Sequence, residues 1–304
     1  MRDAAALKPS LRCRARTTTK RRKQMMVPAS GPPIGRRLAM GVSAATGTGT
    51  LLTGGAARAQ APMRTSQRTF VLVHGAWHGG WCWRRVSDLL QAEGHKVFSP
   101  TLSGLAERSG EMDRCRPVTL ATHVADIVDL FHWERLSDVV LCGHSYGGMV
   151  IAGAAEKLMS ATGALRSMVY LDAFVPGDGQ ALVDMAPPPT RDLILKLREK
   201  GERAVPPVPA ATFNVNERDR DWVNALCTPQ PIGTFLEPAR IGKAQEQVPR
   251  RTYIRAVGYR SLPFDAARAA AAAAGNWNVL DLDAGHDAMI DRPHRLAEML
   301  IAAA

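Results

Sequence analysis

Three things are scarce in this chain, and each scarcity removes a class of function: strongly apolar runs in the N-terminal segment, acidic residues in that segment, and cysteines at metal-binding spacing. The apolar stretch from Leu38 to Ala56 is diluted by Gly, Thr and Ala. A bilayer span takes about 20 strongly apolar residues, so no membrane anchoring is expected of the mature form. Residues 1–59 hold 12 of the 39 Lys and Arg but 1 of the 28 acids, which leaves 27 basic and 27 acidic residues in 60–304. The net charge of +11 therefore belongs to the N-terminal segment, and no nucleic-acid partner is expected of the remainder. Of five cysteines, Cys13 lies in that segment, Cys142 in an apolar strand, and Cys82, Cys115 and Cys227 show no ligand spacing. No metal and no other cofactor is expected. An oxidising compartment would permit a disulfide, but spacing names no pairing.

What is present begins with a leader. A basic stretch containing Arg36-Arg37, the weakly apolar run and the small-residue site Ala57-Arg58-Ala59 before Gln60 follow the three-part order of an export signal. Paired arginines before a mild apolar run read as the twin-arginine type, although Leu38-Ala39-Met40 matches that pattern only in part. The expectation is an exported protein, periplasmic or secreted, with a leader over 1–59 and a single catalytic domain over 60–304. Met25 and Met26 are alternative starts, which makes the first 24 residues a candidate for a mis-assigned initiator.

Thr69 to Val73 is a short β-branched run leading into His74-Gly75-Ala76-Trp77-His78-Gly79-Gly80, after which Trp81 to Ala92 places Val86, Leu89 and Leu90 on one helical face. Lys96 to Pro100, Val139 to Cys142, Ser167 to Leu171, Thr252 to Val257 and Trp277 to Leu282 read as further strands. Ala121 to Phe131, Met149 to Leu158, the Ala-rich Phe264 to Ala274 and Pro293 to Ala303 read as helices. This alternation predicts an α/β fold with a mostly parallel, doubly wound sheet covered on both faces. The rhythm breaks over about 178–250, where proline clusters (Pro187-Pro188-Pro189, Pro206-Pro207) mix with helical pieces such as Asp192 to Lys200. That length exceeds an ordinary loop and reads as a helical cap insertion over the site.

Gly143-His144-Ser145-Tyr146-Gly147 has the form G-x-S-x-G between an apolar strand and an apolar helix. In that context the glycines permit a sharp turn that lifts the serine to a helix N-terminus. A serine hydroxyl is a weak nucleophile without a base and oxyanion donors. His286, in Asp283-Ala284-Gly285-His286-Asp287 after the last strand, is the candidate base and keeps the chain order Ser, then His. The backbone N–H groups of Tyr146 and Ala76 are the candidate oxyanion donors, with Trp77 as the alternative to Ala76. Trp77, His78, Tyr146, Phe174 and cap residues such as Met185 are expected to line an apolar pocket.

These motifs, with Gly94-His95-Lys96-Val97, Gly147-Gly148-Met149 and Thr101-Leu102-Ser103-Gly104-Leu105-Ala106-Glu107-Arg108, make the chain resemble the plant methylesterase and hydroxynitrile lyase branch of the α/β-hydrolases, and more closely its bacterial relatives, over roughly residues 68–304. The resemblance implies the α/β-hydrolase fold and either ester hydrolysis or cyanohydrin cleavage. Lyases of this branch carry a threonine where this chain has Gly75, a glutamate at His144 and a lysine at Asp287. A cyanide leaving group needs that cation, so hydrolysis of a small carboxylic ester by an acyl-enzyme is expected. A lyase or a non-catalytic small-molecule receptor on the same fold are the alternatives, and oligomeric state is open. The resemblance also places the triad acid in the loop after the penultimate strand, where this chain has Tyr259. Asp172, at the end of the strand after the nucleophile helix, is the preferred substitute because that edge neighbours the nucleophile; Asp265 is its main rival, followed by Asp283 and Asp287.

Overall fold

The computed structural model describes residues 66–113 and 116–304; the leader and export signal expected over 1–59, Cys13 and Cys115 lie outside the described residues. In chain order the elements are β1 (Thr69–Val73), α1 (Arg84–Ala92), β2 (Lys96–Phe98), α2 (Leu120–Trp133), β3 (Val139–His144), α3 (Gly147–Thr162) and β4 (Leu165–Leu171). An excursion follows with α4 (Leu182–Met185), α5 (Pro188–Glu199), β5 (Ala204–Val205), α6 (Glu217–Leu226), β6 (Gln230–Pro231) and α7 (Gly233–Leu236). The chain then returns through β7 (Arg250–Ala256), α8 (Leu262–Ala274), β8 (Asn278–Leu282), α9 (Ala288–Asp291) and α10 (Pro293–Ala302).

Six strands form one sheet in the order β2-β1-β3-β4-β7-β8, with every pairing parallel. Successive side chains on a strand point to opposite faces. Val71, Val73, Leu141, Met168 and Tyr170 accordingly pack with Val124 and Ile127 of α2 and Val150 and Ile151 of α3. Phe70, Leu72, Val140, Cys142 and Val169 pack on the other face with Val86 and Leu90 of α1 and Leu296 and Leu300 of α10. Burying each such side chain contributes about 1.5–3 kcal/mol, which is why the central strands read as continuous apolar runs rather than alternating ones.

In a parallel sheet all C-terminal strand ends lie at one edge, where ligands bind. The segments after β1, β3, β4 and β8 therefore converge, and these carry residues 74–78, 145, 172 and 286–287. The excursion between β4 and β7 contains the anticipated helices, and β5 pairs antiparallel with β6 (Val205 with Gln230). Helix α6 carries too few apolar residues for periodicity to reveal; it is docked by the Arg85 guanidinium, which grips both oxygens of Asp219 at 2.7 and 3.0 Å.

Candidate active site

Ser145 stands between β3 and α3 with φ +53°, a left-handed conformation that a serine adopts only under constraint. Its N–H donates to Leu171 O at 3.2 Å and its carbonyl accepts from Gly148 N and Phe174 N, so neighbouring strand ends hold the turn. Gly147 has to be glycine: a Cβ there would come within 2.8 Å of the carbonyls of Val73 and His74. Strand β1 is thereby pressed against the Ser145 turn.

The structure brings His286 and Asp172 together. His286 Nδ1 donates to Asp172 Oδ2 at 2.6 Å, and both residues are buried. This bond fixes the proton on Nδ1 and leaves Nε2 as the basic nitrogen. Asp172 sits at φ +42°, and its N–H is bound to Ile254 O at 2.7 Å; the β4–β7 pairing thus aims the carboxylate. The rival acids are engaged elsewhere: Asp265 binds Arg255 Nε at 2.8 Å, Asp283 is exposed, and Asp287 binds His78. Tyr259, where the resemblance expects the acid, lays its ring 4.8 Å from the His286 ring, with Phe264 stacked at 5.2 Å and Phe213 at 5.2 Å.

The loop after β1 is pinned at both ends. His74 is neutral, burial having lowered its pKa to about 3; it accepts from Leu102 N at 3.0 Å and donates to Gly75 O. Trp77, at φ +66°, gives its N–H to Gln230 Oε1 at 2.9 Å and its indole N–H to Val205 O at 3.0 Å. Its amide is therefore occupied, whereas the amides of Ala76 and Tyr146 have no partner among the described residues. The Tyr146 hydroxyl donates to His123 Nδ1 at 2.9 Å, because His123 gives its other N–H to Ser103 O; burial holds that imidazole neutral, with a pKa lowered to about 4.

His78, expected at the pocket wall, is not there. It is buried with Nδ1 donating to Ala76 O at 2.8 Å and Nε2 to Asp287 Oδ2 at 3.2 Å. Two acceptors at its two nitrogens require the imidazolium form. Burial opposes that charge, but Asp287 outweighs it and raises the His78 pKa well above the ordinary value. Burial likewise disfavours the Asp287 carboxylate, and the His78 charge and hydrogen bond hold its pKa well below the usual range. His144 completes the cluster: Nε2 donates to His286 O at 3.0 Å and lies 3.8 Å from Asp287 Oδ1, and burial keeps its ring neutral. A Cβ at Gly75 would meet His144 Nδ1 at 2.8 Å. Gly75, His144 and Asp287, three separated positions that distinguish this chain from lyases of the resembling branch, are thus one contiguous unit.

Ser145 and His286 line a common cavity of about 160 Å³, with Ala76, Trp77, Tyr146, Phe174, Phe213, Phe235, Tyr259 and Phe264 in its wall. The cap contributes Leu182, Ala186, Pro187 and Thr190; Met185, expected there, is not in the wall and packs, partly buried, against the core. No Asp, Glu, Lys or Arg lines the cavity. Sequence reasoning missed Gln230 and Arg255. Gln230 carried no signal, whereas Arg255 had one, a charge within the apolar strand Tyr253-Ile254-Arg255-Ala256. Among the described residues Cys82, Cys142 and Cys227 are free thiols.

A model of the Alpha/beta hydrolase family matches residues 70–299. The chain belongs to that family. This α/β-hydrolase is 41% identical to the carbendazim hydrolyzing esterase of Nocardioides sp. over 245 residues, 77% of this chain and 98% of that protein. It is 39% identical to salicylic acid-binding protein 2 of Nicotiana tabacum over 110 residues, 35% of this chain and 40% of the tobacco protein. Among solved structures, an extracellular α/β-hydrolase from a Paenibacillus species superposes with a TM-score of 0.66 at 23% identity, covering 78% of this chain and 99% of that one. At that identity the likeness speaks for the fold alone.

Proposed function

We propose that this α/β-hydrolase is a serine esterase for small, uncharged carboxylic esters or carbamates bearing one aromatic ring system. The observation that carries the reading is the His286–Asp172 bond of 2.6 Å at the wall of the cavity that Ser145 also lines. His286 Nε2 takes the Ser145 proton as Oγ bonds to the carbonyl carbon, and the N–H groups of Ala76 and Tyr146 receive the oxyanion. The carbonyl–oxygen bond to the leaving group breaks as His286 returns the proton to it. Water, deprotonated by the same imidazole, then releases the acid and restores Ser145. Asp172 stays ionised and stabilises the imidazolium.

The substrate class is supported by the wall. A cavity of about 150 Å³ accommodates benzene, so the 160 Å³ here suits a single ring. A wall without charged side chains disfavours a substrate carrying a carboxylate or ammonium group. The name of the Nocardioides relative, 41% identical along almost its whole length, adds carbendazim, a methyl carbamate whose fused two-ring system makes it the largest of the candidates. The test is turnover of methyl benzoate, phenyl acetate, monomethyl terephthalate and carbendazim by the wild type beside Ser145→Ala. The neutral compounds are expected to be hydrolysed and the charged terephthalate to be refused, with a loss on the order of 10³-fold or more for the variant. Consumption of mandelonitrile with no acyl-enzyme burst would mean a lyase, and failure of a fluorophosphonate to label Ser145 a receptor. Export through the leader over 1–59 is proposed from the sequence alone, and N-terminal sequencing of the secreted protein tests it: a start near Gln60 is expected.

A further inference from the structure

Arg255 is a buried cation, 3% exposed, that no step of ester hydrolysis calls for. Its guanidinium engages acceptors on every arm: Nη1 holds Asp172 Oδ1 at 2.7 Å and the Ala256 carbonyl, Nη2 holds Tyr259 O at 2.6 Å, and Nε holds Asp265 Oδ1 at 2.8 Å. With Ala256 N–H at 3.1 Å, two donors fill Asp172 Oδ1, and Oδ2 is left to His286 Nδ1. The same guanidinium therefore fixes the carboxylate, the Tyr259 ring segment that packs on His286, and the start of α8 that supplies Phe264. Both charges are buried, and each is matched by the other across the 2.7 Å contact.

We propose that Arg255 is a positioning residue of the triad: it directs one oxygen of Asp172 to His286, and its charge opposes that of the imidazolium that forms there during turnover. The proposal rests on the serine-esterase reading. The direction follows from signs. Protonating His286 beside Asp172 alone would be strongly favoured, and a guanidinium on the same carboxylate offsets part of that attraction. The other ionisable groups near the pair do not duplicate this effect. Asp265 on α8 is 58% exposed and bound to Arg255. The Tyr253 and Tyr259 phenols are neutral, burial having raised them. On the opposite side of the His286 ring His144 is neutral, and His78 and Asp287 compensate each other.

The test is the rate at which a fluorophosphonate labels Ser145 in the full chain, followed against pH, so that no substrate need be known. Wild-type labelling has an acid limb set by His286. Arg255→Gln, which keeps a donor but removes the charge, is expected to move the midpoint of that limb up by about one pH unit and to lower the plateau rate about tenfold or more. Arg255→Lys, which keeps the charge but not the fork, is expected to hold the midpoint within about 0.3 units while the plateau falls. A purely structural arginine would change the unfolding midpoint in both variants and leave the limb where it was; that outcome overturns the proposal. Should Arg255→Gln not accumulate as folded protein, Arg255→Lys decides, and a plateau equal to wild type overturns it. A wild-type chain that does not label overturns the serine-esterase reading itself, whereas normal wild-type labelling with unmoved variants overturns only the role of Arg255.

Discussion

His286–Asp172 and His78–Asp287 are both buried histidine–aspartate pairs at the C-terminal edge of one sheet, yet their geometry suits them to different tasks. Asp172 takes the Nδ1 of His286, and the other nitrogen has no partner among the described residues, at the wall of a cavity. His78 has both nitrogens occupied, one by the oxyanion-loop carbonyl of Ala76 and one by Asp287, and its ring is stacked on Trp81 at 5.2 Å. A histidine that cycles a proton needs an open nitrogen; one engaged at both ends is a strut. His78–Asp287 ties the loop carrying the Ala76 amide to the loop carrying His286, and so couples the position of one to that of the other.

The comparison breaks most visibly if the two aspartates are exchanged in importance. Asp172→Asn is expected to lower kcat/KM by about 10³–10⁴, the scale set by losing the carboxylate behind a triad histidine, whereas Asp287→Asn should lose about tenfold or less because the proton path is intact. Steady-state hydrolysis measures both, and near-normal turnover by Asp172→Asn would remove it from the triad. The next effect is on stability. His78→Gln leaves Asp287 buried without its cation and is expected to cost about 3–5 kcal/mol in urea unfolding, while the folded fraction still labels at Ser145.

The same pair carries a pH signature. Asp287 is held below its ordinary pKa, so its contribution is present above about pH 4 and is lost as pH falls. His78 is held above its ordinary value, so its contribution is full below about pH 6.5 and is lost as pH rises through the raised value. The stability advantage of wild type over Asp287→Asn is therefore expected to peak between about pH 4 and 6.5, which urea midpoints across pH will show. The smallest effect is at Gly75. A methyl group there, 2.8 Å from His144 Nδ1, is expected to cost about 1–3 kcal/mol and to slow labelling of Ser145.

Much of this architecture is local and was legible. Each strand of the sheet announced itself as a short apolar run, the long flanking helices by period or alanine content, and Ser145 and His286 by their place between such elements, because apolar runs and glycine-permitted turns are properties of a few consecutive residues. Helix α6 escaped, its amphipathic face being too weakly apolar. So did the fate of His78, since nothing in His74-Gly75-Ala76-Trp77-His78 tells a pocket wall from an ion pair with a residue more than 200 positions away.

By itself the amino-acid sequence determined the fold class, the order of elements and the confinement of net positive charge to residues 1–59, and it named Ser145 and His286 as the candidate pair. Only tertiary structure decided which carboxylate meets His286, which amide of the loop after β1 stays open, and how large the cavity is. The reason is that these depend on strand register and on packing across the sheet. The bond from Asp172 N–H to Ile254 O and the fork of Arg255 join segments some 80 residues apart, and such contacts leave no trace in the local pattern of either segment.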